Sequence, residues 1–147
     1  MDMIEYIIPI SIALIAMFAT IVVLDYVWLG IVLSDFLKKE FKPYIEKQKD
    51  GSIKIKLWAG LIAWALLSIG TYIFAVLGAD NISIAILTGA LFGLITYGVY
   101  DLTNLTFFPK YSKKFTIIDI IWGTVLCSIM AAVGYIVEME VLNYGIL

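Results

Sequence analysis

Asp25, Asp101 and Asp119 stand inside long apolar runs, where an ionisable side chain needs a reason. An aspartate at the centre of a membrane helix costs about 2.5–3.5 kcal/mol to insert, so such residues turn toward neighbouring helices and often mark proton, ion or substrate sites. A carboxyl in that setting can bind a proton or a cation, or act as a general acid or base. Together with a second carboxyl it can hold Mg²⁺ against a phosphate. The residues at helical spacing extend the polar set: Trp28 follows Asp25 by three positions, and Trp122 follows Asp119 by three. Tyr97 and Asp101 share a stripe that Asn104 continues, with Tyr100 beside it. The candidate binding residues are therefore Asp25, Trp28, Tyr97, Tyr100, Asp101, Asn104, Asp119 and Trp122. The plainer reading is that Asp, Asn and Tyr only hydrogen-bond between helices, at roughly 0.6 kcal/mol per pair, and that the tryptophans belong to a headgroup belt. Three carboxyls at one depth, beside Asn104 and two equally spaced tryptophans, favour a site.

Composition narrows the chemistry further. The chain of 147 residues is 63% hydrophobic and 15% charged, far more apolar than a soluble domain. It contains no histidine and no arginine. That excludes Ser-His and Cys-His relays, axial histidine haem ligation and histidine-rich metal centres. The single cysteine, Cys127, cannot form an intrachain disulfide or a thiolate cluster, and reads as a small apolar residue. No cofactor and no metal is expected.

Four apolar runs are long enough to cross a bilayer, over about 7–33, 57–77, 82–108 and 115–137. The expected fold is an all-α membrane protein, a single four-helix transmembrane bundle. The first run is expected to be a membrane helix rather than a signal peptide, since no basic residue precedes it, it is too long, and no small-residue cleavage pattern comes after it. Seven lysines fall in the loop 34–56 and the other three at Lys110, Lys113 and Lys114, so all ten lie on one side. The positive-inside rule then puts the loops 34–56 and 109–114 in the cytoplasm and both termini outside, in an inner or plasma membrane. The three aspartates accordingly lie in the cytoplasmic half of the bilayer. Within the long loop, Asp50-Gly51-Ser52 reads as a turn and Pro43-Tyr44 as the mark of a short interfacial helix. Four acidic residues dilute its lysines, so the loop suits anionic lipid headgroups rather than nucleic acid.

The helix faces carry small residues as well. Gly89 and Gly93 precede Tyr97 and Asp101 at four-residue spacing, and Asp119, Gly123, Cys127 and Ala131 repeat the pattern in the fourth run. Such stripes let helices approach closely. The second and fourth runs also align without gaps, matching Trp58 with Trp122 and Gly70 with Gly134. That pattern suits two parallel two-helix repeats with a site between the halves.

Three segments together carry a family resemblance: Asp25-Tyr26-Val27-Trp28-Leu29-Gly30, then Gly93 through Tyr97 to Tyr100-Asp101-Leu102-Thr103-Asn104, and Asp119-Ile120-Ile121-Trp122-Gly123. The chain resembles, over essentially its whole length, the membrane-protein family catalogued as domain of unknown function 2177. The resemblance implies a bacterial-type four-helix integral membrane protein whose characteristic polar residues are those named above. It brings no activity with it. The lysine-rich first loop departs from the family pattern.

Three functions fit these residues. The first is binding or translocation of a proton, a cation or a small polar solute, for which a homodimer would supply a fuller path. The second is a lipid-acting enzyme or enzyme subunit, against which stand the missing arginine and the lack of a dense acidic motif. The third is a non-catalytic subunit of a larger membrane complex. The balance leans away from an enzyme.

Overall fold

The computed structural model describes residues 3–46, 48–49 and 53–144. Helix α1, Met3–Asp25, runs directly into a π-helical segment, Tyr26–Val32. A short helix α2, Ser34–Glu40, comes next. Helix α3, Leu57–Thr71, passes into a second π segment, Tyr72–Val76, and is succeeded by α4, Ile82–Phe107, and α5, Lys113–Tyr144. Among the described residues, four helices are long and apolar enough to cross a membrane: Ile7–Val32, Leu57–Val76, Ile82–Phe107 and Lys113–Asn143.

The termini of these helices arise from local chemistry. Gly78 adopts a positive φ of 76°, a turn that few other residues accept. Asn81 then caps α4, its side-chain oxygen accepting from the Ile84 amide at 3.1 Å. At the other end, Ser112 opens α5: its Oγ accepts from the Phe115 amide at 3.2 Å and donates to Glu40 Oε2 at 2.5 Å, which ties α2 to the start of α5. Hydroxyls within the spans bond back to their own helices, as Thr20 does to the Ala16 carbonyl and Thr124 to that of Ile120, both at 2.8 Å. Each π segment ends with an amide reaching five residues back, Leu33 to the Trp28 carbonyl at 2.7 Å and Leu77 to that of Tyr72 at 2.8 Å.

The bundle is apolar outside as well as inside. Its interior is narrow, built from Ala13, Met17 and Ile21 of α1, Ala75 and Val76, Ala85 of α4, and Leu126, Met130 and Ala131 of α5. Large apolar side chains such as Ile15, Phe74 and Leu66 stand exposed on the outside, as suits a lipid solvent. The tightest packing joins α4 to α5. A Cβ on Gly93 would collide with the Gly123 carbonyl oxygen, and one on Gly89 would lie 2.6 Å from that of Cys127. Both small-residue stripes thus face each other, and the backbones meet where side chains are missing.

Several details differ from the sequence reading. The fourth helix continues to Tyr144, because the residues after 137 keep alternating apolar and polar without a breaker. The short helix of the long loop is Ser34–Glu40, and Pro43 and Tyr44 lie in the turn after it, since proline disfavours helix in the residue before it. The expected turn at Asp50-Gly51-Ser52 lies outside the described residues. The gapless match between the second and fourth runs does not make Trp58 and Trp122 equivalent: Trp58 is 67% exposed, whereas Trp122 points into the bundle onto Asp25.

Candidate functional site

Asp25 is the last residue of α1 before the backbone widens into the π segment. Its carboxyl, 5% exposed, is held on both sides. Oδ1 accepts from Trp122 Nε1 at 2.9 Å and Oδ2 from Trp64 Nε1 at 2.8 Å. Two indoles, from α5 and α3, supply the hydrogen bonds that water would otherwise provide. The adjoining π turn brings Trp28 over Trp122, with the rings stacked at 4.4 Å and 10° between planes. Each π segment inserts the equivalent of an extra residue into a helix turn, which re-aims the side chains beyond it; such segments concentrate at functional sites.

A second polar centre joins α4 and α5. Asp101 is fully buried. Its Oδ1 accepts from the Tyr111 hydroxyl at 2.5 Å, whereas Oδ2 meets no donor in hydrogen-bonding geometry. The Asp119 carboxyl lies alongside, and Asn104 lies beside the Tyr111 hydroxyl. Tyr111 belongs to the turn between α4 and α5, where Pro109 bars continuation of the helix and the chain folds the phenol back under Asp101. Burial, then the hydrogen bond to Asp101, pushes the Tyr111 hydroxyl well above the ordinary tyrosine range, so it stays a donor. Phe41 packs edge-on against Tyr111 at 5.5 Å and against Phe115 at 4.7 Å, forming an aromatic floor at the lysine-bearing end.

Between the two centres lies a cavity of about 290 Å³. Asp25 and Leu29 line it from the first span, Tyr97 and Tyr100 from α4, and Asp119 and Trp122 from α5, with the aromatic floor below. The lining holds two carboxyls and no lysine. A second, mostly apolar groove of about 400 Å³ runs between α3 and α4, walled by Ala63, Leu66, Leu67 and Phe92, and it shares Tyr97, Tyr100 and Asp119 with the cavity. Among the described residues, no three His, Cys, Asp or Glu side chains come together to hold a metal ion.

Of the eight candidates, Asp25, Tyr97, Tyr100, Asp119 and Trp122 line the cavity. Asp101 stands behind Asp119, Trp28 behind Trp122, and Asn104 by Tyr111. Tyr97 is fixed by its ring, which occupies the space that a side chain on Gly123 would need. Trp64, Tyr111, Phe41 and Phe115 were not among the candidates. Trp64 shares a helical face with Ser68 and Thr71, and Tyr111 sits in a Phe-Pro-Lys-Tyr turn resembling Phe41-Lys42-Pro43-Tyr44; those were the available signals.

A family model described as "predicted membrane protein (DUF2177)" matches residues 10–136, most of the chain and all of the cavity-lining positions. Neither the comparison with curated proteins nor that with solved structures yields a match. The chain belongs to this membrane-protein family of unknown function.

Proposed function

We propose that this member of the predicted membrane-protein family binds a positive charge, a proton or a small cationic solute, in the cavity between Asp25 and Asp119 and passes it across the membrane. The observation that carries the reading is the cavity's lining: two carboxyls inside an apolar bundle, with no lysine to balance them. A carboxylate desolvated without a counter-charge is unstable, and an arriving cation or proton removes that penalty. The hydrogen bonds set the division of labour. Asp25 has a donor on each oxygen, so its geometry is fixed whatever occupies the cavity. Asp119 adjoins Asp101, and two carboxylates offer only acceptors to each other. A proton between them, or a cation on Asp119, supplies the missing donor. Tyr111 anchors the far side of Asp101 throughout.

In this proposal the lysine-bearing end faces the cytoplasm of an inner or plasma membrane, as the positive-inside rule expects. The cavity then opens toward the cytoplasmic half. Four helices enclose a short path, so the transporting unit is a homodimer. The test is flux in liposomes containing the purified chain, driven by a pH gradient or a membrane potential. Asp119→Asn is expected to lower flux to the protein-free rate while the protein still reconstitutes. Flux equal to wild type in Asp119→Asn contradicts the proposal.

A further inference from the structure

The cavity and the groove between α3 and α4 meet at Tyr97, Tyr100 and Asp119, and together they describe a ligand with two unlike ends. At the inner end, carboxyls stand among aromatic side chains. Asp119, 8% exposed, belongs to both spaces, and Asp25 lies across the cavity from it. Aromatic rings attract a cation that sheds its water easily, and the attraction reaches about 2 kcal/mol or more in a desolvated site. A hard metal ion asks for something different, six or more oxygen ligands for Ca²⁺ or a near-octahedral set for Mg²⁺. The described residues bring no three acidic side chains together for that purpose. Tyrosine, tryptophan and phenylalanine around two acids suit an organic ammonium.

The outer end is apolar. Ala63 and Leu66 are exposed on α3, so the groove opens sideways onto the surface that faces lipid, and Leu67, Phe92 and Thr96 continue it inward to Tyr97 and Asp119. Its volume of about 400 Å³ exceeds that of the charged cavity, and the two together fall within the roughly 300–1,000 Å³ of small-molecule sites. We propose that the ligand of this site is an amphipathic organic ammonium, entering from the lipid between α3 and α4, with its charged head beside Asp119 and Asp25 and its apolar tail left in the groove. This rests on the cation-binding reading above and names the class of cation.

The test uses the full chain in lipid nanodiscs and calorimetric titration with two probes, tetramethylammonium and hexyltrimethylammonium, with K⁺ as the inorganic control. Both ammonium ions should bind saturably, the hexyl compound more tightly. Tyr100→Leu alters an exposed residue and should weaken both by about tenfold, as should Asp119→Asn. Ala63→Phe, which obstructs the groove from the lipid side, should weaken the hexyl compound by about tenfold and leave tetramethylammonium unchanged. Equal affinity of the two probes, or insensitivity of the hexyl compound to Ala63→Phe, overturns the inference about the tail. If neither ammonium ion binds while proton or K⁺ flux still depends on Asp119, the substrate class is wrong and the cation-binding reading stands. If flux too is independent of Asp119, both fall.

Discussion

Asp101 depends on a residue ten positions along the chain and outside the span. Its buried carboxyl has one donor, the Tyr111 hydroxyl, and Asp119 beside it can contribute a hydrogen bond only when a proton sits between them. Tyr111→Phe removes that donor and keeps the ring against Phe41, so the expected loss is that of a buried unsatisfied acceptor, about 1–3 kcal/mol, seen as a lower midpoint in thermal unfolding of the detergent-solubilised protein. The raised tyrosine fixes the sign with pH. A group whose folded value lies above its unfolded one contributes fully below the unfolded value, about 10 for tyrosine. That contribution is lost as pH rises through the folded value. The difference between wild type and Tyr111→Phe should therefore be constant across neutral pH and shrink only in strong alkali. At this scale the carboxyls were legible in the sequence, because a charge in an apolar run has a cost that demands explanation. Trp64, Phe41 and Phe115 were not. An aromatic residue in such a chain fits lipid, belt or core equally well, and only the fold shows that Trp64 reaches Asp25 across 39 positions.

Helices α4 and α5 form the rigid wall of the site, and their contact is made by absent side chains. Gly93→Ala drives a Cβ into a backbone oxygen that has nowhere to go, while Gly98, on the same helix, has open space around it. Overpacking of this kind costs about 1–3 kcal/mol. Gly98→Ala should instead be neutral or stabilising by up to about 1 kcal/mol, through helix propensity. Unfolding of the two variants in the same detergent checks the contrast; equal stability would mean that the α4–α5 contact is looser than described. The glycine stripes were readable beforehand because a four-residue period is a local property of sequence. The π segments were not, since a widened turn depends on which partner each side chain meets: Tyr26–Val32 carries Trp28 onto the ring of Trp122, three membrane spans later. The same reason explains the short helix at Ser34–Glu40, which is fastened through Glu40 to Ser112 in another loop.

For the whole molecule, hydropathy alone announced four membrane helices, because the bilayer leaves a chain this apolar few other choices. Where the spans pack, and so which carboxyls share a cavity, depends on side-chain fit that periodicity does not encode. The proposed orientation has a direct check that exploits a quiet background: the native Cys127 is fully buried. Cysteines placed at the exposed positions Lys49 and Asp80 should react with a membrane-impermeant maleimide from opposite sides, Lys49→Cys only in inverted vesicles and Asp80→Cys only in intact cells. The reverse pattern would turn the protein over and move the cavity to the outer half of the membrane. Positive charge held at Asp25 and Asp119 is the core of the proposed function. Infrared difference spectra of the reconstituted protein, recorded on a pH step and on addition of tetramethylammonium, read those carboxyls directly. Wild type should show a carboxyl band, on the pH step and on ammonium addition alike, that is missing from the difference spectra of Asp119→Asn; spectra of Asp119→Asn identical to those of wild type would contradict charge binding at this pair.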